Sequence, residues 1–320
     1  MLKYEDLPDY SRDFLSYLET IQNRSPQTVN EYYYDIRMFL RFVKILKFNA
    51  KEEFDEITVK DMDVRVLEKL TLSDFYAYMT FLSRNRGASS KTRARKVASL
   101  KSFYKYLFSK VKLINNNPAL ELETPKHKKG LPRYLNLEES TKLLDNVESR
   151  HEKRDFAMLT LLLNCGIRIS ELVGINITDY RDDTIKISGK GNKERTIYLN
   201  DACRNAINEY MAVRPNDKAV DKNAMFLSER YTRISRKTVH VIVKKQLSNA
   251  GIDTTKYSAH KLRHTAATLM YKHGDVDIRA LQRILGHESI ATTEIYTHLD
   301  DEQLRSATKK NPLADYKKEK

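Results

Sequence analysis

The chain has 320 residues, 41% of them hydrophobic, which is long enough for two domains that each bury their own core. Its 57 lysines and arginines against 43 aspartates and glutamates leave a formal net charge of +14, an excess that points to a polyanionic partner, nucleic acid first. No apolar run approaches bilayer-spanning length, the N-terminal stretch is too polar for a signal peptide, and two cysteines (Cys165, Cys203) make no disulfide framework, so a cytoplasmic protein without a membrane partner is expected.

Residues 1–122 read as a helical domain. Ser25 followed by Pro26 is an N-cap with proline at the first helical position, and Val29, Tyr33, Ile36, Leu40 and Val43 recur at helical spacing to about Lys47. Residues 48–70 are less periodic and read as a connecting segment. A second helix starts near Ser73 with Phe75, Tyr76, Met79 and Leu82 facing inward. After Gly87, Ser89 or Ser90 caps a third helix that ends near Lys110. Ten basic residues lie between Arg84 and Lys112, and no acid falls between Asp74 and Glu121. Solvated faces usually mix signs to limit repulsion. Arg84, Arg86, Lys91, Arg93, Arg95, Lys96 and Lys101 are therefore expected to meet a phosphate backbone.

Residues 123–133 carry Pro125, Gly130 and Pro132 among lysines and read as a basic interdomain linker placed to lie along DNA. The second domain, 134–320, opens on Asn136 with Glu139 three residues on, the pattern of a capping box. Residues 154–163 are apolar enough to be buried, Gly166 ends that helix, and GIRISELVGI starts a short one in which Arg168 and Glu171 are i and i+3. Taken alone, that pair reads as an exposed and weak ion pair. Two strands follow, Thr184–Ser188 and Arg195–Leu199, joined by a glycine-containing hairpin that displays Lys190 and Lys193. The hairpin lacks the serine or threonine and the helix of a nucleotide-binding loop, which excludes ATP. Helices over 201–214 and 235–249 come next, the second bearing Arg236, Lys237 and Lys244 as further DNA-contact candidates.

The stretch from Ser258 to His298 organises the rest. His260 and Arg263 lie one helical turn apart, on one face. Gly286 and His287 end an amphipathic run (Val276, Ile278, Leu281, Ile284, Leu285), and Thr292 or Thr293 begins a short helix that carries Tyr296. Cationic and imidazole groups converging with a phenol suit a phosphodiester: the former hold the nonbridging oxygens and the phenol attacks. His260 and His264 have metal-pair spacing, but no glutamate follows the first and no third ligand is near, so no metal is expected.

The ordered set Arg168 in GIRISEL, Lys190 in GKGNKER, His260 and Arg263 in SAHKLRHTAAT, and His287 and Tyr296 in LGHESIATTEIYTH closely resembles the tyrosine recombinase (phage integrase) family, its Xer-like branch in particular. The resemblance covers the whole second domain, and the basic helical first domain fits the family's core-site-binding domain. It implies a mostly α, two-domain, C-shaped DNA clamp, with a small antiparallel sheet in the catalytic domain. It implies attack of Tyr296 on a DNA phosphate to give a 3′-phosphotyrosyl link, with Arg168, Arg263 and His287 stabilising the phosphorane. Lys190 would protonate the leaving 5′-oxygen, His260 would assist proton transfer at the nucleophile, and Glu171 would support the arginine. No metal, nucleotide or other cofactor is implied. The implied partners are double-stranded DNA and further protomers, in a tetramer of this chain alone or with a paralogue on two DNA sites. Chromosome-dimer resolution, mobile-element integration and DNA inversion are the biological outcomes open to such an enzyme. The residues after Tyr296 are candidates for a helix that docks on a neighbouring protomer. Two rival readings are a type IB topoisomerase-like strand transferase and a sequence-specific DNA-binding regulator without catalysis, the latter having no use for a poised phenol.

Overall fold

A computed structural model describes residues 4–126, 133–189, 194–274, 276–287 and 289–293. The chain divides into two compact units, residues 1–129 and 130–320. Among the described residues no helix is long and apolar enough to cross a membrane.

The first unit is built from helices α1 (Asp9–Thr20), α2 (Pro26–Phe48), α3 (Val64–Glu68), α4 (Leu72–Arg84) and α5 (Ser90–Lys105). Ser25 caps α2 by accepting from the Thr28 N–H, Thr71 and Asp74 form a reciprocal capping box on α4, and Ser89 rather than Ser90 caps α5. The helix of α5 continues to Lys110 as a π-turn over Tyr106–Lys110. The core is aromatic: Phe14, Phe39, Phe75, Tyr78, Phe103 and Tyr104 are all buried, and Phe39 stacks on Phe75 with centroids 5.6 Å apart. Such ring pairs add about 0.5–1.5 kcal/mol beyond the area they bury.

Two expectations change here. On α4 the inward face is Phe75, Tyr78 and Leu82, while Tyr76 is half exposed. Residues 48–70 are no mere connection, because Ile57, Val59, Met62, Leu67 and Leu70 are buried in the same core. Asp35 on α2 has almost no exposed surface and accepts from Arg95 (2.6 and 3.0 Å), Lys96 (2.7 Å) and Ser99 (2.7 Å) on α5. A buried carboxylate must be paired to stay charged. Lys96, itself 6% exposed, supplies that pairing and so leaves the expected phosphate-binding face.

The second unit holds α6 (Leu137–Asp145), α7 (Glu152–Asn164), α8 (Ile169–Gly174), strands β1 (Tyr180–Arg181), β2 (Thr184–Ser188) and β3 (Glu194–Tyr198), then α9 (Asp201–Val213), α10 (Arg236–Asn249), α11 (Ala259–His273) and α12 (Ile278–Leu285). Asn136 and Glu139 form the expected capping box on α6. Beyond its charged first turn, helix α7 is buried on every face from Ala157 to Leu163, as a central helix must be, and packs against α9 and α11. The sheet is antiparallel in the order β1-β2-β3, with Ile185 opposite Ile197 and Ile187 opposite Arg195. Ile185, Ile187 and Ile197 face the core, so strand alternation places Arg195 on that inward side too. Strand β1, two residues long, was not anticipated. The Sγ atoms of Cys165, just past α7, and Cys203, in α9, are 3.7 Å apart and buried as free thiols. The mostly helical fold with one small antiparallel sheet is the class expected from the sequence.

Candidate active site

The site is assembled at two glycine turns. Gly166 (φ +60°) follows α7 and Gly286 (φ +63°) ends α12, a left-handed conformation open to glycine without penalty. The turns meet closely: a Cβ on Gly166 would fall 2.8 Å from Leu285 Cδ2. Their carbonyls receive the two arginines singled out from the sequence. Arg263, on α11 and 4% exposed, donates to the Gly166 carbonyl (2.5 Å) and the Leu285 carbonyl (2.7 Å). Arg168, just before α8, donates to the Gly286 carbonyl (3.1 Å).

Glu171 ties this arrangement to the sheet. Its side chain is 2% exposed, so the expectation of an exposed, weak pair with Arg168 is wrong. The Arg168 backbone N–H donates to Oε2 (2.7 Å) and its Nη1 to Oε1 (2.8 Å), while Arg195 grips both oxygens (2.8 and 3.0 Å). Burial raises the carboxyl's proton affinity, and the hydrogen bonds from Arg195 and Arg168 more than offset it, so the group lies below the ordinary carboxylate value. Glu171 is a fixed anion between two fixed cations.

His287 follows the Gly286 turn. Its Nδ1 shares a 2.9 Å hydrogen bond with Thr293 Oγ1, and its carbonyl accepts from Gln282 Nε2 (3.0 Å). Burial, then the charges of Arg263 and Arg168, lower its pKa from 6.5 to about 4. Burial and the neighbouring His260 do the same to His264 on α11, also to about 4. His260 is exposed at the start of α11 and meets His264 edge to face at 4.9 Å. His260 and Arg263 thus differ in depth, the arginine turned into the interior. A cavity of about 1070 Å³ opens among Arg168, Arg195, Arg283, Gly286, His287 and Thr292, and the strand ends Ser188, Gly189 and Glu194 border it. Residues 190–193 join those strand ends. Lys190, Lys193, Tyr296, the short helix expected to carry Tyr296 and the C-terminal tail lie outside the described residues, as do residues 127–132 of the linker. Among the described residues no cluster of histidine, cysteine or carboxylate side chains could hold a metal.

The sequence reading missed Arg195, Arg283 and Thr293. For Arg195 a signal existed: an arginine two residues before Ile197 on an alternating strand shares its inward face. Of the expected DNA-contact residues, Arg84, Lys91, Arg236, Lys237 and Lys244 are exposed, and Lys101 is half-buried. Arg86 lies over the Phe54 ring at 4.1 Å, and Arg93 donates to the Ala88 carbonyl (2.7 Å) and to Ser83 Oγ (3.0 Å). Arg95 is committed to Asp35 through two nitrogens, though 43% of its side chain stays exposed.

Comparison with known proteins decides the family. Residues 133–303 match the phage integrase family, and residues 12–110 match the phage integrase N-terminal SAM-like domain. The chain belongs to the phage integrase family. A tyrosine recombinase XerC of Caldanaerobacter subterraneus is 52% identical over 315 residues, covering 98% of this chain and 88% of that relative. The fold is shared with the XerH site-specific recombinase in its post-cleavage complex with a palindromic difH substrate (TM-score 0.70, 21% identity, 94% of this chain and 84% of that one). It is also shared with a lambda integrase tetramer bound to a Holliday junction (TM-score 0.64, 16% identity, 88% and 76%). The family member described here is accordingly a site-specific tyrosine recombinase, and neither a non-catalytic regulator nor a topoisomerase is favoured.

Proposed function

We propose that this recombinase breaks and rejoins double-stranded DNA through Tyr296, with residues 134–320 as the catalytic domain, 1–122 as a core-site-binding domain and 123–133 as a basic linker along the duplex. The Tyr296 oxygen attacks the scissile phosphorus, its proton passing with the help of His260. The bond to the 5′-oxygen breaks, and that oxygen takes a proton from Lys190. The products are a 3′-phosphotyrosyl link and a free 5′-hydroxyl, and the reverse attack by a 5′-hydroxyl rejoins the strand. The phosphotyrosyl bond keeps the energy of the phosphodiester, so the reaction calls for neither metal nor nucleotide.

The observation that carries this reading is the convergence of Arg168, Arg263 and His287 on the Leu285–Gly286 turn at the edge of one cavity. Both guanidinium groups are held by backbone carbonyls, that of Arg168 by Glu171 as well, and positive charge fixed in this way suits the nonbridging oxygens of a pentacoordinate phosphate. Fixed donors of this kind need no reorganisation as charge develops. The likeness to a lambda integrase tetramer on a Holliday junction supports a tetramer on two DNA sites, of this chain alone or with a paralogue.

A nicked duplex that loses its 5′ fragment on cleavage traps the covalent intermediate. The wild type accumulates the adduct, and Tyr296→Phe binds the same DNA and forms none. An adduct of normal yield from Tyr296→Phe would transfer the role to another phenol, with Tyr271 the next candidate.

A further inference from the structure

We propose that Arg195 is a positioning residue for strand cleavage, holding Arg168 through Glu171 and holding the turn that presents His287 through its packing on Gly286. The proposal rests on the catalytic roles assigned above to Arg168 and His287.

Three observations carry it. The first is the shared carboxylate. Both Glu171 oxygens accept from the Arg195 fork, and the same two oxygens accept from the backbone and the side chain of Arg168. Without Arg195 the carboxylate would keep one cationic partner and could rotate with it, so the direction of the Arg168 guanidinium would no longer be set by the sheet.

The second is the contact with Gly286. A Cβ there would lie 2.9 Å from the Arg195 Cζ and Nη1 and about 3.0 Å from its Nε, so the guanidinium is packed against a glycine that must stay a glycine. The same Gly286 offers its carbonyl to Arg168, and His287 is the next residue. One side chain on β3 thereby braces both halves of the donor set.

The third is the placement of Arg195 itself. It occupies an inward strand position opposite Ile187, where an apolar residue would bury more easily, and its side chain is 17% exposed. Its Nε is buried with no acceptor among the described residues. A donor left without an acceptor costs stability, and the arrangement is readable as the cost of keeping the fork on Glu171. Lysine would bring the charge but not the planar two-pronged grip.

The test compares Arg195→Gln and Arg195→Lys with wild type on the nicked duplex, after cooperative melting has established folding. Single-turnover cleavage at saturating DNA falls by roughly 10²-fold in both variants, the scale of a small misplacement of catalytic groups, while DNA affinity is unchanged. In a Glu171→Gln background the added Arg195→Gln change costs clearly less than it does alone, because the two share the carboxylate link and only the packing on Gly286 is left to lose. The defect persists when the bridging 5′-oxygen is replaced by sulfur, a leaving group that needs no proton. Wild-type cleavage by either folded variant, additive losses with Glu171→Gln, or recovery on the sulfur substrate would each overturn the proposal. If only the lysine variant folds, its cleavage rate alone decides. Failure of the wild type to form any adduct would instead strike at the assigned chemistry and is read first.

Discussion

His287 Nδ1 and Thr293 Oγ1 lie 2.9 Å apart, and Thr293 has no exposed surface. The hydroxyl fixes the ring through one nitrogen and leaves Nε2 as the one to address a phosphate oxygen. Thr293→Val keeps the shape and removes the hydroxyl. Cleavage is expected to fall roughly 10–100-fold, the range found for partners that orient ligand histidines, with DNA affinity intact, and Thr293→Ser should restore most of it. Equal cleavage by the valine and serine variants would show that the hydrogen bond does not matter.

Stability should fall with pH in a window set by histidines. His264 and His287 have folded pKa values near 4 against an ordinary 6.5. The unfolded chain therefore takes up protons first, and stability present above pH 6.5 is lost progressively as pH drops toward 4. Depressed carboxylates such as Glu171 act in the same direction only below about 4.5. Thermal midpoints should drop between pH 6.5 and 5, and the double variant His264→Gln, His287→Gln should flatten that drop. A midpoint constant across this window in the wild type contradicts the assignment.

The basic stretch of the first unit should divide into two classes. Neutralising the exposed Arg84 and Lys91 should reduce the slope of log affinity on log salt by about 0.9 for each phosphate that no longer meets a cation. Lys96→Met should leave the slope alone and instead cost roughly 1–3 kcal/mol in urea unfolding, since Asp35 gives up one of its partners but keeps Arg95 and Ser99. A changed salt slope in Lys96→Met would return this lysine to the DNA surface.

Gly286→Ala should cost more than any other glycine-to-alanine change in α8 or α12. A non-glycine residue at its left-handed φ is destabilised by about 1–2 kcal/mol, and the added methyl collides with the Arg195 guanidinium. Gly174, with open space where a Cβ would be, serves as the control. Lower melting and slower cleavage are expected for Gly286→Ala but not for Gly174→Ala; parallel behaviour of the two would argue against the packing described.

Lys190, rather than Lys193, is expected to protonate the departing 5′-oxygen, a transfer worth roughly 10²–10⁴-fold. Lys190→Ala should regain cleavage on the 5′-bridging sulfur substrate, and Arg168→Ala should stay defective there. Rescue of Lys193→Ala instead would exchange the two lysines.

Local signals were readable where the cause is local. Ser25, Ser89 and Asn136 announce helix starts because a cap satisfies the N–H groups of its own first turn. The motif residues were legible because Arg168 and His287 sit beside glycines in the chain and Arg263 lies one helical turn from His260. What escaped depends on partners distant in the chain. Lys96 reads as a phosphate-binding cation until Asp35, on another helix, is seen beneath it. Glu171 with Arg168 looks like an ordinary helical ion pair until Arg195 arrives from the sheet. Residues 49–63 bury Ile57, Val59 and Met62 without regular secondary structure, and no periodicity can reveal that.

The cysteine pair gives the experimenter an opening. Cys165 and Cys203 are buried, so neither offers an accessible sulfur to a maleimide, and hydrogen bonding to Cys203, then burial, raises the Cys165 thiol well above its ordinary range. A cysteine introduced at an exposed position of α9 such as Asn205 or Glu209 would thus be the preferred point of dye attachment in the native protein. Fluorophores placed there could follow synapsis and strand exchange one DNA pair at a time, without first stripping the chain of its own sulfurs.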